Sequence, residues 1–401
     1  MESAPNIPII YKDKFPENFI NDVNGWGSFS KQILQDNIGK LLSLDIDYGA
    51  KCSLYCPHCF RRQNKADRIG AGPHKIMDHD KIIEVIEKAK KLGLKSVKFL
   101  GKGEPFEAET TKFRFLEFLR YLKKSNPPIT PSIFTKGHVI GNDDLVKQYY
   151  SRYGISTGEE LVKELKKVNA SILLGFNSFK KEVQDKMVGA SEPRAKIKDY
   201  TERRNHALEL LVKAGFNKYN PTHLCLAVNP ITNDNIDEAF EIYKWARVRN
   251  LYPIVCPTMI SGLCAGDAWR TINPPYEKLI DLYTKIYEFN IEKGIQTLEQ
   301  IKEEGVSSYA GGHPCNQIGC GMYLTLTGTV LRCPGDDTTV LGNIWKESLE
   351  DIWLKSENYG RSGTFNCYCP PKWGKSIPYN LFTEVVIRLE KMHKQRNERI
   401  A

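Results

Sequence analysis

The sequence lacks the long apolar runs that a membrane protein needs. Its longest uncharged stretches, 250–266 and 305–331, are interrupted by Pro, Gly, Ser and Thr, so no membrane span is predicted. The first residues contain no basic segment followed by an apolar run, so no secretory signal is predicted either. We therefore expect a protein of the reducing cytoplasm.

Long runs of lysine or arginine, internal repeats and low-complexity segments are also missing. The 401 residues include 57 Lys+Arg and 48 Asp+Glu, a dispersed net charge of +9. Dispersed charge is typical of a solvated surface and does not favour a nucleic acid partner. It does suit docking of an acidic electron carrier, and we expect a reductant of flavodoxin or ferredoxin type. Hydrophobic residues at 41% exclude a disordered chain.

Strand-like and helix-like segments alternate along most of the chain. An apolar run at 41–47 is followed by a helical pattern at 80–92, and further strand-like runs lie at 96–100, 132–135, 170–176, 224–229 and 254–257. About six β/α units between residues 41 and 262 predict an α/β fold whose parallel sheet is either open or curled into a barrel. We expect an N-terminal extension over 1–40, a helical linker over 263–310 and a small cysteine-rich domain over 311–401.

Eleven cysteines in a reducing compartment indicate metal or redox chemistry rather than disulfides. Cys52, Cys56 and Cys59 directly follow the first strand, with three and then two residues between them. Three thiolates can hold three irons of a 4Fe–4S cluster and leave the fourth iron open for a ligand. Two alternatives are a zinc site completed by His58 and buried structural cysteines.

A second motif follows the second strand. One residue separates Gly101 from Gly103, and Glu104 and Pro105 follow directly. Glycines let a ligand approach the backbone, and a carboxylate can pair with an ammonium group. In a parallel barrel this loop lies at the same edge as the cysteine loop.

Together, the two motifs resemble those of the radical S-adenosylmethionine superfamily. The resemblance implies a partial (β/α)6 TIM barrel in which the open iron binds the amino and carboxylate groups of S-adenosylmethionine. It also implies reductive cleavage to a 5′-deoxyadenosyl radical, with Cys52, Cys56 and Cys59 as the catalytic cluster ligands. The residues implied to contact the cofactor are His58, Phe60, Gly101, Gly103, Glu104, Pro105, Thr135, Asn177, Ser178 and Asn229.

The last four of these residues end the third, fourth and fifth strands. Thr135 begins a Thr-Lys-Gly segment that resembles the Thr-Asn-Gly of relatives. Asn177 and Ser178 are expected to hydrogen-bond the ribose or the methionine carboxylate, and the alternative for them is a strand-end turn. Asn229 closes the fifth strand. Arg61 and Arg62 are either carboxylate ligands beside the cluster or a solvated pair.

Five cysteines occur near the C-terminal end, where a glycine precedes Cys333 by five positions. This spacing resembles the opening of the SPASM/Twitch auxiliary-cluster domain. Full SPASM domains carry more cysteines, so we expect one auxiliary 4Fe–4S cluster, with a zinc site as the alternative. The expected ligands are Cys315, Cys320, Cys333 and one of Cys367 or Cys369, with a slight preference for Cys369.

The resemblance implies hydrogen abstraction from a small-molecule or peptide substrate, leading to oxidation or rearrangement. The alternative is a non-enzymatic iron–sulfur or zinc-ribbon protein that binds nucleic acid or carries electrons. The open three-cysteine loop favours the enzyme, because electron carriers use four ligands for each cluster. Of the remaining cysteines, Cys225 and Cys256 are expected in the core, and Cys264 either in the core or facing the substrate.

Overall fold

A computed structural model describes residues 4–26, 29–65, 75–193, 195–365 and 369–400 of the chain. Six parallel strands, β1 to β6, pair in sequence order. Strands β1, β2, β4 and β6 are buried along their whole length, as expected when helices cover the outer face of a curled parallel sheet. The six strands are β1 (Ser43–Ile46), β2 (Ser96–Phe99), β3 (Thr130–Thr135), β4 (Ser171–Gly175), β5 (Leu224–Ile231) and β6 (Tyr252–Pro257).

Helices connect these strands and cover the sheet. In the second of them, α2, the apolar side chains recur at helical spacing and are buried, and Asp78 caps the first turn by accepting a hydrogen bond from Lys81 N. The first eight helices are α1 (Lys31–Gln35), α2 (His79–Lys91), α3 (Phe115–Lys124), α4 (Asp143–Tyr150), α5 (Gly158–Lys167), α6 (Lys181–Val188), α7 (Tyr200–Lys213) and α8 (Ile236–Arg247). The predicted α/β alternation is thus confirmed.

The cysteine-rich region adds three strands to the same sheet, a feature that the sequence did not indicate. Strand β7 (Gly321–Leu324) pairs in parallel with β1, and β8 (Thr329–Leu331) and β9 (Val340–Asn343) follow as antiparallel neighbours. The close approach of β7 to β1 requires Gly321, because a Cβ there would lie 2.5 Å from Ser43 Oγ. The short helices α11 (Gln317–Cys320), α12 (Leu349–Lys355) and α13 (Glu357–Gly360) flank this extension.

The segments on either side of the barrel pack against it. In the N-terminal extension, Val23 forms a bridge with Thr222, and the Trp26 ring lies 4.8 Å from the Phe134 ring. Beyond β6, helices α9 (Tyr276–Lys293) and α10 (Leu298–Glu304) precede α11, and α14 (Leu381–Ile400) packs against both α9 and α10. None of the described helices is long and apolar enough to span a bilayer.

Candidate active site

One cavity collects most of the residues that the sequence singled out. Its cavity volume is about 140 Å³. It lies where the strands end, the edge of a parallel barrel at which chemistry occurs. The predicted residues on its wall are Cys52, Cys56, His58, Cys59, Phe60, Gly101, Gly103, Glu104, Pro105, Thr135 and Asn229.

The cysteine loop is held in place by a buried carboxylate. Glu107 accepts hydrogen bonds from Ser53 N at 3.0 Å and from Ser53 Oγ at 2.8 Å. Its Oε1 also lies 2.7 Å from Nε2 of His138, whose side chain is fully buried. Burial raises the pKa of Glu107, but these hydrogen bonds prevail and lower it. His138 therefore supports the loop between the first two cluster cysteines.

The three cysteines of the loop are partly buried. Burial raises the pKa of Cys52 well above its ordinary value. Burial also raises the pKa of Cys56, and the nearby Lys136 ammonium only partly offsets this rise. Since thiolates are the ligand form, iron binding must displace these protons. Each thiolate ligand of a 4Fe–4S cluster binds a different iron. The cysteines that hold a cluster therefore surround the whole cluster and not a single metal ion. Cysteines that line a cavity fit such a group.

The glycine-containing loop packs directly on the cysteine loop. Gly103 has a φ of +85°, and a Cβ there would lie 2.8 Å from Lys51 O. The next amide, Glu104 N, donates to Lys51 O at 2.7 Å. Only glycine gives both this backbone conformation and this approach.

Glu104 presents a fixed acceptor to the cavity. Its carboxylate accepts hydrogen bonds from Thr135 Oγ1 at 2.6 Å and from Lys136 N at 2.9 Å. Burial raises its pKa, although these two hydrogen bonds and His138 oppose the shift. The carboxylate is thereby oriented for an ammonium ligand, as the motif predicts.

Two of the predicted cofactor ligands lie elsewhere. Asn177 Oδ1 accepts a hydrogen bond from Asn229 N at 3.0 Å, and Ser178 Oγ donates to Glu238. Neither residue is on the wall of the cavity. Their contacts match the alternative of a strand-end turn, in which they fix the ends of β4 and β5.

Lys136 and Met259 line the cavity but were not among the predicted site residues. Lys136 is partly buried, and no Asp or Glu in the described ranges forms an ion pair with its ammonium. The side chain occupies space left free by Gly175, where a Cβ would lie 3.1 Å from Lys136 Nζ. Burial and the Lys136 charge lower the pKa of His58 to about 3, so this imidazole is neutral. In the sequence, Lys136 could have been noticed because it replaces the Asn of relatives in the Thr-Lys-Gly segment.

Arg61 is buried and is not among the residues that line the cavity. Its side chain is 1% exposed and pairs with Asp47, the residue that follows β1, at 3.3 Å. Arg62 donates instead to Leu54 O at 2.8 Å. Both arginines therefore brace the cysteine loop.

A second cavity lies beside the first. Cys315, Cys333 and Cys369 are on its wall, and it shares Leu100 and Met259 with the first cavity. Burial raises the pKa of all three thiols. Three cysteines on the wall of one cavity fit a cluster, as the first three do.

The other two cysteines predicted for this cluster have different positions. Cys320 is buried in a small apolar cluster with Leu34 and Leu42, and its Sγ lies 3.6 Å from Asn316 Oδ1. It is close enough to Cys315 for that thiolate to contribute to the raised pKa of Cys320, of which burial is the main cause. Cys367 lies outside the described residues.

The three remaining cysteines are buried. Cys225 and Cys256 are fully buried in the strands β5 and β6, which agrees with the core position expected for them. Cys264 is 2% exposed and packs with Ile260 and Trp269. Across the described ranges, no group of three or more Cys, His, Asp or Glu side chains is arranged around a single metal position.

Comparison with known proteins agrees with this geometry. The model of the radical SAM superfamily matches residues 46–246, and the SPASM model, an iron–sulfur cluster-binding domain, matches residues 315–372. No curated protein sequence matches the chain.

Two solved structures share the fold. SuiB from Streptococcus suis, bound to S-adenosylmethionine, has a TM-score of 0.51 and 17% identity over 83% of this chain and 70% of SuiB. The protein anSMEcpe with bound AdoMet has a TM-score of 0.52 and 15% identity over 80% of this chain and 79% of its own. The chain therefore belongs to the radical SAM superfamily, carries a SPASM domain, and has 4Fe–4S clusters and S-adenosylmethionine as its cofactors.

Proposed function

We propose that this protein cleaves S-adenosylmethionine reductively and uses the resulting radical to abstract a hydrogen atom from a substrate. The observation that carries the proposal is the shared cavity wall of Cys52, Cys56, Cys59 and Glu104. The three thiols would hold a cluster with one open iron, and Glu104 would hold the ammonium group of the cofactor. When bound, the cluster supplies the electron that breaks the bond between sulfur and the 5′ carbon.

The neighbouring cavity supports an oxidative or rearranging reaction. Cys315, Cys333 and Cys369 would hold one auxiliary cluster there, with Cys320 or Cys367 as the fourth ligand. Leu100 and Met259 form a common wall between the two cavities. In an oxidation, the substrate radical would lose a proton to water and one electron across this wall to the auxiliary cluster. A reductant of flavodoxin or ferredoxin type would supply the electron that the first cluster gives to S-adenosylmethionine.

The substrate class that we propose is a peptide or a small molecule. A structure of SuiB, whose fold this chain shares, was solved with the precursor peptide SuiA bound. This supports a peptide as the first class to test. The wall of the cavity is mainly apolar, and Lys136 offers a cation for an anionic group of the cofactor or substrate.

The division into domains is also proposed. The barrel would extend over 41–262, the helical linker over 263–310 and the auxiliary-cluster domain over 311–401, after an extension of 40 residues. The two family matches, 46–246 and 315–372, fall inside the proposed barrel and auxiliary domain and support these boundaries.

The experiment is a measurement of 5′-deoxyadenosine after anaerobic reconstitution with iron and sulfide and reduction with dithionite. The wild type is expected to produce it, and a variant with Cys52, Cys56 and Cys59 all changed to Ala is expected to produce none. Cys225→Ala is the matched control, because this cysteine is buried in β5 outside both cavities. Undiminished product in the triple variant would contradict the proposal.

A further inference from the structure

Lys372 carries a buried ammonium group beside the second cavity. Its side chain has no solvent exposure, and its Nζ contacts Cys256 Sγ. The same Nζ lies 5.4 Å from the centre of the Tyr309 ring, which is on the wall of the cavity. Its backbone amide donates to Cys369 O at 2.8 Å. Lys372 is therefore tied to the loop that presents the thiol of Cys369.

No Asp or Glu forms an ion pair with Lys372 among the residues that the structure describes. Lys98, on the wall of the same cavity, is different, because it pairs with Asp45 at 3.2 Å. A buried charge without a counter-charge is strongly unfavourable. A bound anion would give Lys372 the counter-charge that Lys98 has in Asp45.

A cluster held by thiolates is an anion of this kind. Cys315, Cys333 and Cys369 line the cavity whose wall residue Tyr309 contacts Lys372. We propose that Lys372 is the counter-cation of the auxiliary cluster and that it raises the reduction potential of this cluster. The inference rests on the proposed function, because it requires a cluster on these three cysteines.

The positive charge of Lys372 is the reason for the expected rise in reduction potential. Reduction by one electron adds a further negative charge to the cluster, so a nearby cation stabilises the reduced form more than the oxidised form. The electron enters the cluster, and no bond or proton has to move with it. A higher potential makes the cluster a better acceptor for the electron that a substrate radical releases.

A local pair between Lys372 and Cys256 is the competing explanation. If Cys256 were a thiolate, it would already compensate the ammonium, and the net charge next to the cluster would be zero. Removing that thiolate would then raise the potential of the cluster. If Cys256 is a neutral thiol, its removal leaves the potential unchanged.

The test uses the full chain with Cys52, Cys56 and Cys59 changed to Ala, so that only the auxiliary cluster is bound. A mediated redox titration followed by electron paramagnetic resonance gives its potential. In Lys372→Met the ratio of reduced to oxidised cluster at a fixed potential is expected to fall about tenfold, which corresponds to a potential about 59 mV lower. Lys375→Met, which removes the same charge from an exposed position three residues away, is expected to leave the potential unchanged.

Three further variants keep the test decisive. Lys372→Gln is a second neutral variant that can still donate to Cys256, and Lys372→Arg is expected to restore the potential of the parent. Cys256→Ala is expected to leave the potential at the parent value, and a rise would overturn the proposal in favour of the local pair.

Iron content separates the two possible failures. About four irons per chain with an unshifted potential in both neutral variants would overturn the role of Lys372 alone. Absence of iron from the triple-cysteine parent would instead overturn the auxiliary cluster, and the role of Lys372 with it.

Discussion

The guanidinium of Arg61 lies 3.3 Å from the carboxylate of Asp47, and neither side chain is reached by solvent. The same carboxylate accepts hydrogen bonds from the Lys102 amide, from the Tyr323 hydroxyl and from Leu326 N at 3.2 Å. One acid thus joins the cysteine loop, the glycine-containing loop and the first strand of the auxiliary domain. The two cluster sites are built around a common buried support.

Asp47→Asn tests this support. Loss of one partner of a buried ion pair costs about 3–5 kcal/mol, so the free energy of unfolding of the iron-free protein should fall by that order. Chemical unfolding followed by circular dichroism measures the change. Because Asp47 contacts both modules, iron binding at both sites is expected to weaken.

The matched control is Asp267→Asn. Asp267 forms an ion pair with Arg270 at 2.7 Å in which both side chains are largely exposed. Exposed pairs contribute at most about 1 kcal/mol, so little change is expected. Equal losses for Asp47→Asn and Asp267→Asn would contradict the role of Asp47.

Glu104→Gln should weaken binding of S-adenosylmethionine by about tenfold or more. A hydrogen bond to a charged group contributes about 1.5–3 kcal/mol, and the amide removes the charge while preserving the shape. Calorimetry on the reconstituted protein measures the affinity. Thr135 and Lys136 N, which orient the carboxylate, remain in place in this variant. Unchanged affinity would show that Glu104 is structural.

The same carboxylate predicts a pH dependence. Burial raises the pKa of Glu104, and only the ionised form pairs with an ammonium group. Affinity should therefore fall as the pH decreases through this raised pKa, and it should be fully present above it. In Glu104→Gln that contribution is absent, so the affinity should vary less with pH than in the wild type. Parallel titration curves for the two proteins would contradict the assignment.

Lys136→Met tests whether the cation in the cavity binds a carboxylate. If it binds that of S-adenosylmethionine, the variant should lose about tenfold in affinity for the cofactor. It should lose much less for decarboxylated S-adenosylmethionine, which has no carboxylate to bind. A double-mutant cycle over the two proteins and two ligands isolates this pair.

The control for Lys136→Met is Lys180→Met, a change at an exposed lysine. It should leave both affinities unaltered. If Lys136→Met binds both ligands as the wild type does, the carboxylate belongs to the substrate or the lysine has no ligand. Measured turnover with carboxylated and amidated peptides would then distinguish these two cases.

The fourth auxiliary ligand can be found by counting iron. In the parent that lacks the first three cysteines, Cys333→Ala and Cys369→Ala should each lose most of about four irons per chain. Cys320→Ala is expected to lose as much, as the sequence spacing predicts. Retention of four irons in Cys320→Ala would assign the fourth place to Cys367.

The sequence by itself determined the parts of this protein that are local in the chain. The cysteine motif at 52–59 and the motif at Glu104 predicted two loops at one edge of the sheet, because each motif lies within one loop and its position follows from the strand before it. The alternation of apolar runs predicted the α/β fold with a parallel sheet for the same reason. At Asn177 and Ser178 the sequence allowed either a ligand or a turn, because both use the same polar residues at a strand end.

Only the tertiary structure decided which distant residues meet. Asp47 and Tyr323 are 276 positions apart, and Lys372 reaches Cys256 across 116 positions. No periodicity encodes such pairs, since they depend on β7 joining β1 and on how the final loop returns to the barrel. Whether a lysine is solvated or buried beside a cluster site is likewise a property of the surroundings that folding creates, and the energetic cost of burying its charge exists only in the folded chain.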